Sequence, residues 1–314
     1  QSMSSKKKIA LIGAGFIANE YLKVADKSTK FSINCIYSRT EKKILKLKKN
    51  FKLDNYFTNF NEFTNHIKFE KFDGIIVAVS VENMYGVLKS LIKLKIPLLI
   101  EKPPCLHLSQ LKNLIFLQKK YKTPNMIALN RRYYSIFKKV FNKNYKKNLN
   151  SIIIEGHENI WKINKKDTVK KKWLFANSIH TIDLLFFFAQ ADIRKVCINK
   201  NKKINQFNLE TLIKFNNSVS AIYQSNWNNF GRWSVIINLG KLKYSFKPLE
   251  SGSIIYRNGK TTEIVADDND KIFKPGFYNM LQSFLQLIKN KKNKWPDVNL
   301  NSLDKTYELI KKFS

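Results

Sequence analysis

The feature that most limits the fold of this chain is a glycine-containing loop directly after its first apolar run. Ile9-Ala10-Leu11-Ile12 predicts a strand, and it leads into Gly13-Ala14-Gly15-Phe16-Ile17-Ala18, the G-x-G-x-x-G/A pattern between a strand and a helix. Gly13 permits the tight turn, and Gly15 lets backbone amides approach a pyrophosphate. Ala18 lets the helix pack closely on the strand, while its N-terminus faces the phosphates. The pattern predicts a dinucleotide site, with a bare structural turn as the alternative. Its members are Gly13, Gly15, Phe16, Ile17 and Ala18.

The first 130 residues alternate short β-branched runs with longer helical patterns, which is typical of right-handed βαβ units on a parallel sheet. The predicted strands cover residues 9–12, 32–37, 74–79, 96–100 and 125–129. The predicted helices cover residues 16–27, 41–51 and 106–121. We expect a doubly wound α/β Rossmann domain over residues 1–130 that binds NAD(P).

After Tyr133 the pattern changes to longer strands with period-two alternation. The predicted strands cover residues 151–155, 209–215, 218–225 and 233–238, and the predicted helices cover 177–189, 276–289 and 300–313. Three turn dipeptides are placed between the strands: Asn216-Asn217, Asn258-Gly259 and Asp268-Asn269. We expect an α+β domain over residues 131–314 with a large, mostly antiparallel open sheet.

The charge balance raises the question of a nucleic-acid partner. Lys+Arg 57 against Asp+Glu 23 gives a net charge of +34 over 314 residues. Lysines occur along the whole chain and Asn, Ile and Phe are also abundant, which fits an A/T-rich genome better than a phosphate-binding stripe. We therefore expect no nucleic-acid partner. Charge-driven, salt-dependent binding to duplex DNA is the alternative.

The remaining composition indicates a cytoplasmic protein. The longest apolar runs are about ten residues, short of the roughly 20 that span a bilayer, so no membrane partner is expected. No charged-then-apolar segment precedes the first strand, and Gln1-Ser2 is interpreted as left by cleavage of a fusion tag, with the native chain starting at Met3. Cys35, Cys105 and Cys197 are odd in number and widely spaced, so neither a disulfide framework nor a zinc site is predicted.

The end of the second predicted strand bears on which coenzyme the loop binds. An NAD site commonly has a carboxylate about twenty residues beyond the glycine loop, which accepts the ribose hydroxyls. This chain has Ser38-Arg39-Thr40 there. Two hydroxyls and a guanidinium suit a 2′-phosphate, which favours NADP(H). The alternative is that Arg39 stacks on adenine and NAD binds as well.

Further segments carry a resemblance to a known family. Besides the glycine loop they are Asp73-Gly74-Ile75-Ile76-Val77-Ala78, Glu101-Lys102-Pro103, Asn130-Arg131-Arg132-Tyr133 and His180-x-x-Asp183. With them the chain resembles the Gfo/Idh/MocA oxidoreductases over nearly its whole length. The resemblance implies that Lys102 contacts the reacting hydroxyl and that Pro103 shapes the turn beside the nicotinamide. It also implies a homodimer or homotetramer formed through the open sheet. Further cofactor contacts are expected from Ala78, Val79, Ser80, Glu101, Lys102, Pro103 and Arg132.

Three residues are the catalytic candidates. The Lys102 ammonium follows a strand end and can stabilise a developing alkoxide, although a surface lysine is the alternative. His180 lies near a predicted helix N-terminus, where the charged imidazole is disfavoured, and the resemblance implies a general base or acid. Asp183 is three residues further on the same helical face and could orient the imidazole, or serve only as a structural carboxylate.

Substrate contacts are expected from residues on the second domain. Arg132 could pair with a substrate carboxylate or phosphate, or tie the two domains together, and Tyr133 could stack on a sugar ring. Trp161 and Trp173 flank the basic loop 162–172, a lid in one interpretation and packed core in the other. Asn177 and His180 complete the substrate set with Lys102. His66, His107 and His157 have no metal-ligand spacing, and no metal is expected.

Three departures from the family pattern concern the substrate class. Many members have an aspartate four residues before the histidine, where this chain has Ala176, so that Asn177 would supply only a hydrogen bond. The usual Thr-Pro is replaced by Val79-Ser80, and the usual histidine near the next helix start by Met84.

The resulting hypothesis is an NAD(P)-dependent oxidoreductase that transfers hydride between nicotinamide and a carbinol or keto carbon of a sugar, cyclitol or nucleotide sugar. His180 would take the hydroxyl proton and Lys102 would stabilise the oxygen. The positive charge favours an anionic substrate. The alternative from another class is a non-catalytic dinucleotide-binding regulator of the same fold.

Overall fold

The computed structural model describes residues 6–203, 206–228 and 231–314, with the side chain of Trp161 and the side chains of residues 202, 203 and 206 also outside the description. The expected start at Met3 therefore lies outside the described residues. The strands are β1 Lys7–Ile12, β2 Phe31–Tyr37, β3 Asn55–Phe57, β4 Gly74–Val77, β5 Leu98–Ile100, β6 Asn125–Ile127, β7 Leu149–Glu155, β8 Ile193–Lys203, β9 Gln206–Phe215, β10 Ser220–Asn226, β11 Ser234–Leu239, β12 Leu242–Phe246, β13 Gly252–Tyr256 and β14 Thr261–Ile264.

The described residues also form α-helices. They are α1 Phe16–Asp26, α2 Glu41–Lys48, α3 Phe60–Phe69, α4 Val81–Leu91, α5 Leu108–Tyr121, α6 Tyr145–Asn148, α7 Asp167–Lys170, α8 Ile179–Ala189, α9 Asp268–Ile272, α10 Phe277–Asn290 and α11 Asp304–Phe313. Among the residues that the structure describes, no helix combines the length and apolar character needed to cross a bilayer. The chain divides into two compact units, residues 1–130 with 272–304, and residues 131–271 with 305–314.

The first unit contains a six-stranded sheet in the order β3-β2-β1-β4-β5-β6, with every neighbouring pair parallel. This is the doubly wound arrangement, and the Rossmann prediction is confirmed. Ile9 through Ile12 have no exposed surface because helices cover both faces of the sheet. The order reverses between β1 and β4, and ligands of open α/β sheets bind outside the carboxyl ends of the strands at such a reversal.

Residues 272–304 pack with the first unit, whereas the sequence pattern assigns them to the second domain. The reason is a side-chain fit on α10. A methyl group added at Gly74 of β4 would lie 2.8 Å from Ile288 and 2.9 Å from Phe284, so the helix lies directly on the strand. Beyond α10, the Ile127 amide donates to the Val298 carbonyl at 2.7 Å. Chain order alone does not reveal this return.

The second unit contains an eight-stranded sheet in the order β14-β13-β12-β11-β7-β10-β9-β8. All its pairs are antiparallel except β7 with β10, which run parallel, so the expected mostly antiparallel sheet is confirmed. The prediction of a turn at Asp268-Asn269 is wrong. These residues begin α9, where Asp268 and Asp270 lie in the first turn and suit the positive end of a helix.

The helix α8 forms the centre of the second unit. All eleven of its residues are buried, so it is apolar around its whole circumference. It is preceded by a π-helical turn over Leu174–Ser178. The α-helix predicted over 177–189 therefore begins two residues later, because the backbone hydrogen bonds of this turn span five residues and not four.

Candidate functional site

The glycine loop has the geometry that a dinucleotide site requires. Gly13 has φ +108°, and a Cβ there would lie 2.1 Å from the Ala78 carbonyl oxygen, so only glycine fits. The Gly13 amide donates to Tyr37 at 2.8 Å, and the Ala78 amide donates to Ile12 at 2.7 Å. These bonds join the loop to the carboxyl ends of β1, β2 and β4.

Gly15 forms an open cradle at the N-terminus of α1. A Cβ added at Gly15 would meet nothing within 4 Å, and Gly15 is exposed. Gly15 is the N-cap of the eleven-residue helix, with no capping side chain and no acidic residue in the first turn. The amides of this turn and the helix dipole therefore suit an anion such as a pyrophosphate. Phe16 is 72% exposed and Ala18 is buried, so the loop residues fit a dinucleotide.

The residues that follow β2 and β4 lie at the same edge of the sheet as the glycine loop. They are called the rim and comprise residues 38–40 and 79–80. Ser38 Oγ accepts a hydrogen bond from the Thr40 amide at 3.2 Å, and Arg39 and Thr40 are exposed. Val79 follows β4, and Ser80 is the N-cap of α4. Arg39 therefore lies where a strand end presents it to solvent, as its predicted role requires.

Lys102 follows β5 at the same edge, and the Lys102–Pro103 peptide bond is cis. Its position is fixed through Glu101, which is 9% exposed. Tyr21 of α1 donates to Glu101 Oε1 at 2.5 Å, and the Lys102 amide donates to Oε2 at 3.3 Å. Burial raises the pKa of the Glu101 carboxyl above its usual value, and the hydrogen bond from Tyr21 opposes this. The sequence offered no signal for Tyr21.

His180 lies in the second unit, on the first turn of α8, and is 4% exposed. Its imidazole lies 6.1 Å from the Trp233 ring, centroid to centroid. The Arg131 guanidinium lies over that indole at 4.6 Å. Trp233 and Arg131 were not predicted as site residues. The only signal for Arg131 is its place within the Asn130–Tyr133 motif.

Arg132 and Asp183 form a buried ion pair with each other. Arg132 donates from Nε to Oδ2 at 2.6 Å and from its terminal NH2 group to Oδ1 at 2.9 Å. The side chains are 8% and 2% exposed. This pairing favours the structural alternative for Asp183, and it engages the guanidinium that was predicted to meet a substrate or the coenzyme. Both residues belong to the second unit, so this ion pair lies within that unit.

The other predicted substrate residues differ in exposure. Tyr133 is 5% and Trp173 is 8% exposed, which favours the packing alternative for Trp173. The side chain of Trp161 lies outside the described residues. Asn177 is partly exposed and donates to Glu158, a buried carboxylate that sequence reasoning missed.

Comparison with known proteins identifies the first unit. Residues 7–128 match the family model described as the Gfo/Idh/MocA oxidoreductase family with an NAD-binding Rossmann fold. Residues 7–128 therefore form the NAD-binding Rossmann domain that this family model describes. The match covers the glycine loop, the rim and Lys102, so the resemblance read from the motifs is confirmed. No curated protein sequence matches the chain.

Solved structures resemble the chain over almost its full length. A dehydrogenase (MviM) from Clostridium difficile has a TM-score of 0.81 at 21% identity, covering 98% of both chains. A Gfo/Idh/MocA family oxidoreductase from Vibrio cholerae has a TM-score of 0.79 at 17% identity, covering 97% of this chain and 95% of that one. The UDP-N-acetylglucosamine 3-dehydrogenase GnnA from Acidithiobacillus ferrooxidans has a TM-score of 0.77 at 12% identity, covering 98% and 97%. At these low identities the structural likeness shows the fold alone.

Proposed function

We propose that this protein transfers hydride between a nicotinamide coenzyme and a carbinol or keto carbon of a sugar, cyclitol or nucleotide sugar. The observation that carries the proposal is the open cradle at Gly15, located at the same sheet edge as Lys102. Residues 1–130 would bind the coenzyme, and residues 131–314 the substrate. Ser38, Arg39 and Thr40 support NADP(H) as the preferred form, because they offer donors and no carboxylate.

The chemistry is divided among few side chains. A bound nicotinamide coenzyme supplies the hydride acceptor or donor. In the oxidising direction the carbinol carbon loses its hydrogen as hydride, the His180 imidazole takes the hydroxyl proton, and a carbonyl forms. The Lys102 ammonium stabilises the negative charge that develops on the oxygen. Reduction reverses each step.

The substrate class is inferred from the surroundings of His180. The Arg131 guanidinium stacked on Trp233 offers a cation and an aromatic ring near the imidazole, a combination that suits a sugar with an anionic group. The Acidithiobacillus relative, by its name, acts on a nucleotide sugar. We propose a nucleotide sugar or sugar acid.

Assembly and compartment are part of the proposal. Leu212 of β9 and Ile222 of β10 are 47% and 36% exposed and pair across neighbouring strands, so the sheet presents apolar surface. A homodimer or homotetramer would cover it. Cys35, Cys105 and Cys197 are not joined in disulfides, as a reducing cytoplasm allows.

The test is a dehydrogenase assay at 340 nm with NAD⁺ and NADP⁺ against myo-inositol, D-glucose, UDP-N-acetylglucosamine and L-tartrate. We expect turnover with at least one anionic substrate, and a 10²- to 10⁴-fold loss of kcat, roughly, in His180→Gln and Lys102→Met. Coenzyme binding without turnover of any polyol or sugar would instead favour the non-catalytic regulator, which the absence of a carboxylate at Ala176 also supports.

A further inference from the structure

Glu158 is a buried carboxylate just beyond the end of β7. The Gly156 amide donates to Gln224 at 2.7 Å and the Glu158 amide donates to Asn226 at 3.0 Å, so the segment continues the pairing of β7 with β10. Glu158 is 8% exposed. A buried carboxylate is costly unless donors satisfy it, so its partners indicate why it is there.

Its partners lie on the π-helical turn that leads into α8. Asn177 Nδ2 donates to Oε1 at 3.2 Å and to Oε2 at 3.4 Å, and Ser178 Oγ donates to Oε1 at 3.2 Å. A methyl group added at Gly156 would lie 2.8 Å from Thr181 Oγ1 of α8, so β7 and α8 touch at this point. Glu158 is thus held at the end of the helix that carries His180.

The contact with Glu158 fixes the orientation of the Asn177 amide. Since Nδ2 and Oδ1 lie on opposite sides of Cγ, donation by Nδ2 directs the carbonyl oxygen away from the carboxylate. Oδ1 has two lone pairs and can accept from a ligand in addition to a protein group. Asn177 is also partly exposed, whereas Glu158 and Ser178 are buried behind it.

We propose that Glu158 is a positioning residue that holds Asn177 Oδ1 as a hydrogen-bond acceptor for a substrate hydroxyl. Position 176 is alanine and carries only a methyl group. In this proposal the Glu158 carboxylate stays buried, and the neutral, partly exposed Asn177 amide is the acceptor for the substrate. This inference rests on the proposed function and adds that the substrate presents a hydroxyl donor at this point.

An exchange of side chains tests the proposal in the full-length protein with NADP⁺ or NAD⁺ and the best substrate of the panel. Asn177→Asp places two carboxylates against each other, and Glu158→Gln lets the Asn177 amide rotate. We expect each to lower kcat/KM by about 10- to 100-fold, the range for losing a hydrogen bond to a charged group. The double variant Glu158→Gln/Asn177→Asp restores a donor facing an acceptor. It should recover at least tenfold over Asn177→Asp.

Controls separate positioning from a purely structural role. Glu155→Gln changes a carboxylate three residues earlier that binds Ser234 and Lys247, and we expect it to leave kcat/KM unchanged. NADPH affinity should be unchanged in all variants, since neither Glu158 nor Asn177 belongs to the predicted coenzyme contacts. A thermal melt of each apoprotein reports folding.

The outcomes are distinct. Recovery of kcat/KM in the double variant supports the proposal, even if Glu158→Gln alone fails to fold. An unchanged kcat/KM in Glu158→Gln and Asn177→Asp, or a double variant no better than Asn177→Asp, overturns it and leaves Glu158 as a helix-end partner. An unfolded double variant also overturns it, because the exchange should preserve the contact. A wild type that binds NADPH and turns over no substrate overturns the proposed function itself.

Discussion

Arg132 donates two parallel hydrogen bonds of 2.6 and 2.9 Å to Asp183, and neither side chain is more than 8% exposed. The Arg132 guanidinium also lies 5.4 Å from the centre of the Phe187 ring, one turn further along α8. The pair anchors the Asn130–Tyr133 segment to α8, the helix that carries His180. Its first role is therefore structural.

Removing one partner of this pair should be strongly destabilising. Asp183→Ala leaves a buried guanidinium without its carboxylate, and we expect a loss of about 3–5 kcal/mol in the free energy of unfolding, measured by urea titration. Asp192→Ala, which removes an exposed partner of Lys305, is the control and should cost under about 1 kcal/mol. A large loss of kcat with unchanged stability would instead assign Asp183 a catalytic role.

Two alanine substitutions in the glycine loop should separate folding from coenzyme binding. Gly13→Ala forces a Cβ against the Ala78 carbonyl at positive φ, and we expect it to cost about 1–3 kcal/mol or more of stability. Gly15→Ala meets no neighbour at φ −90°, so its stability should fall by no more than about 1 kcal/mol, the cost of an alanine at a helix N-cap. Its NADPH affinity, measured by fluorescence, should nevertheless fall, since the methyl group enters the space of the phosphates. Equal affinities in Gly15→Ala and wild type would contradict the cradle.

Arg39 should decide between the two coenzymes. Arg39→Ala removes the guanidinium that would pair with the 2′-phosphate, so we expect the Kd for NADP(H) to rise about 10-fold or more. The Kd for NAD(H) should change little. Titration of both coenzymes into wild type and Arg39→Ala measures these Kd values. An unaltered preference for NADP in the variant would contradict the assignment of Arg39 to the 2′-phosphate.

Glu155 should contribute a pH-dependent part of the stability. Burial alone would raise its pKa, but hydrogen bonds from Ser234 and Lys247 outweigh burial and hold the pKa below the ordinary value of 4.5. A lowered folded-state pKa stabilises the protein above about pH 4.5, and this contribution is lost as the pH falls through the folded value. Melting temperatures between pH 6 and pH 3 should therefore fall less steeply for Glu155→Gln than for wild type. Parallel curves would exclude the effect.

Arg131 should distinguish anionic from neutral substrates. Arg131→Gln removes the cation stacked on Trp233 and retains a polar side chain. We expect the KM for UDP-N-acetylglucosamine or L-tartrate to rise about 10-fold, with little change for myo-inositol. A similar change in KM for charged and neutral substrates would show that Arg131 does not recognise the charge of the substrate.

Local order along the chain was enough to predict the parallel sheet, the glycine loop and the location of Lys102 at a strand end. Each of these features depends on neighbouring residues only. A buried apolar run forms the strand, and the residues that follow it are of the types that the next turn requires. The antiparallel character of the second sheet also followed from period-two alternation, which depends only on which face of a strand is buried.

The pairing of side chains could be seen only in the folded protein. The pairing of Arg132 with Asp183, the return of α10 onto Gly74 and the burial of Glu158 behind Asn177 each join residues that are far apart in the chain. Such contacts depend on packing geometry and on the need of a buried charge for a donor, neither of which leaves a periodic trace in the sequence.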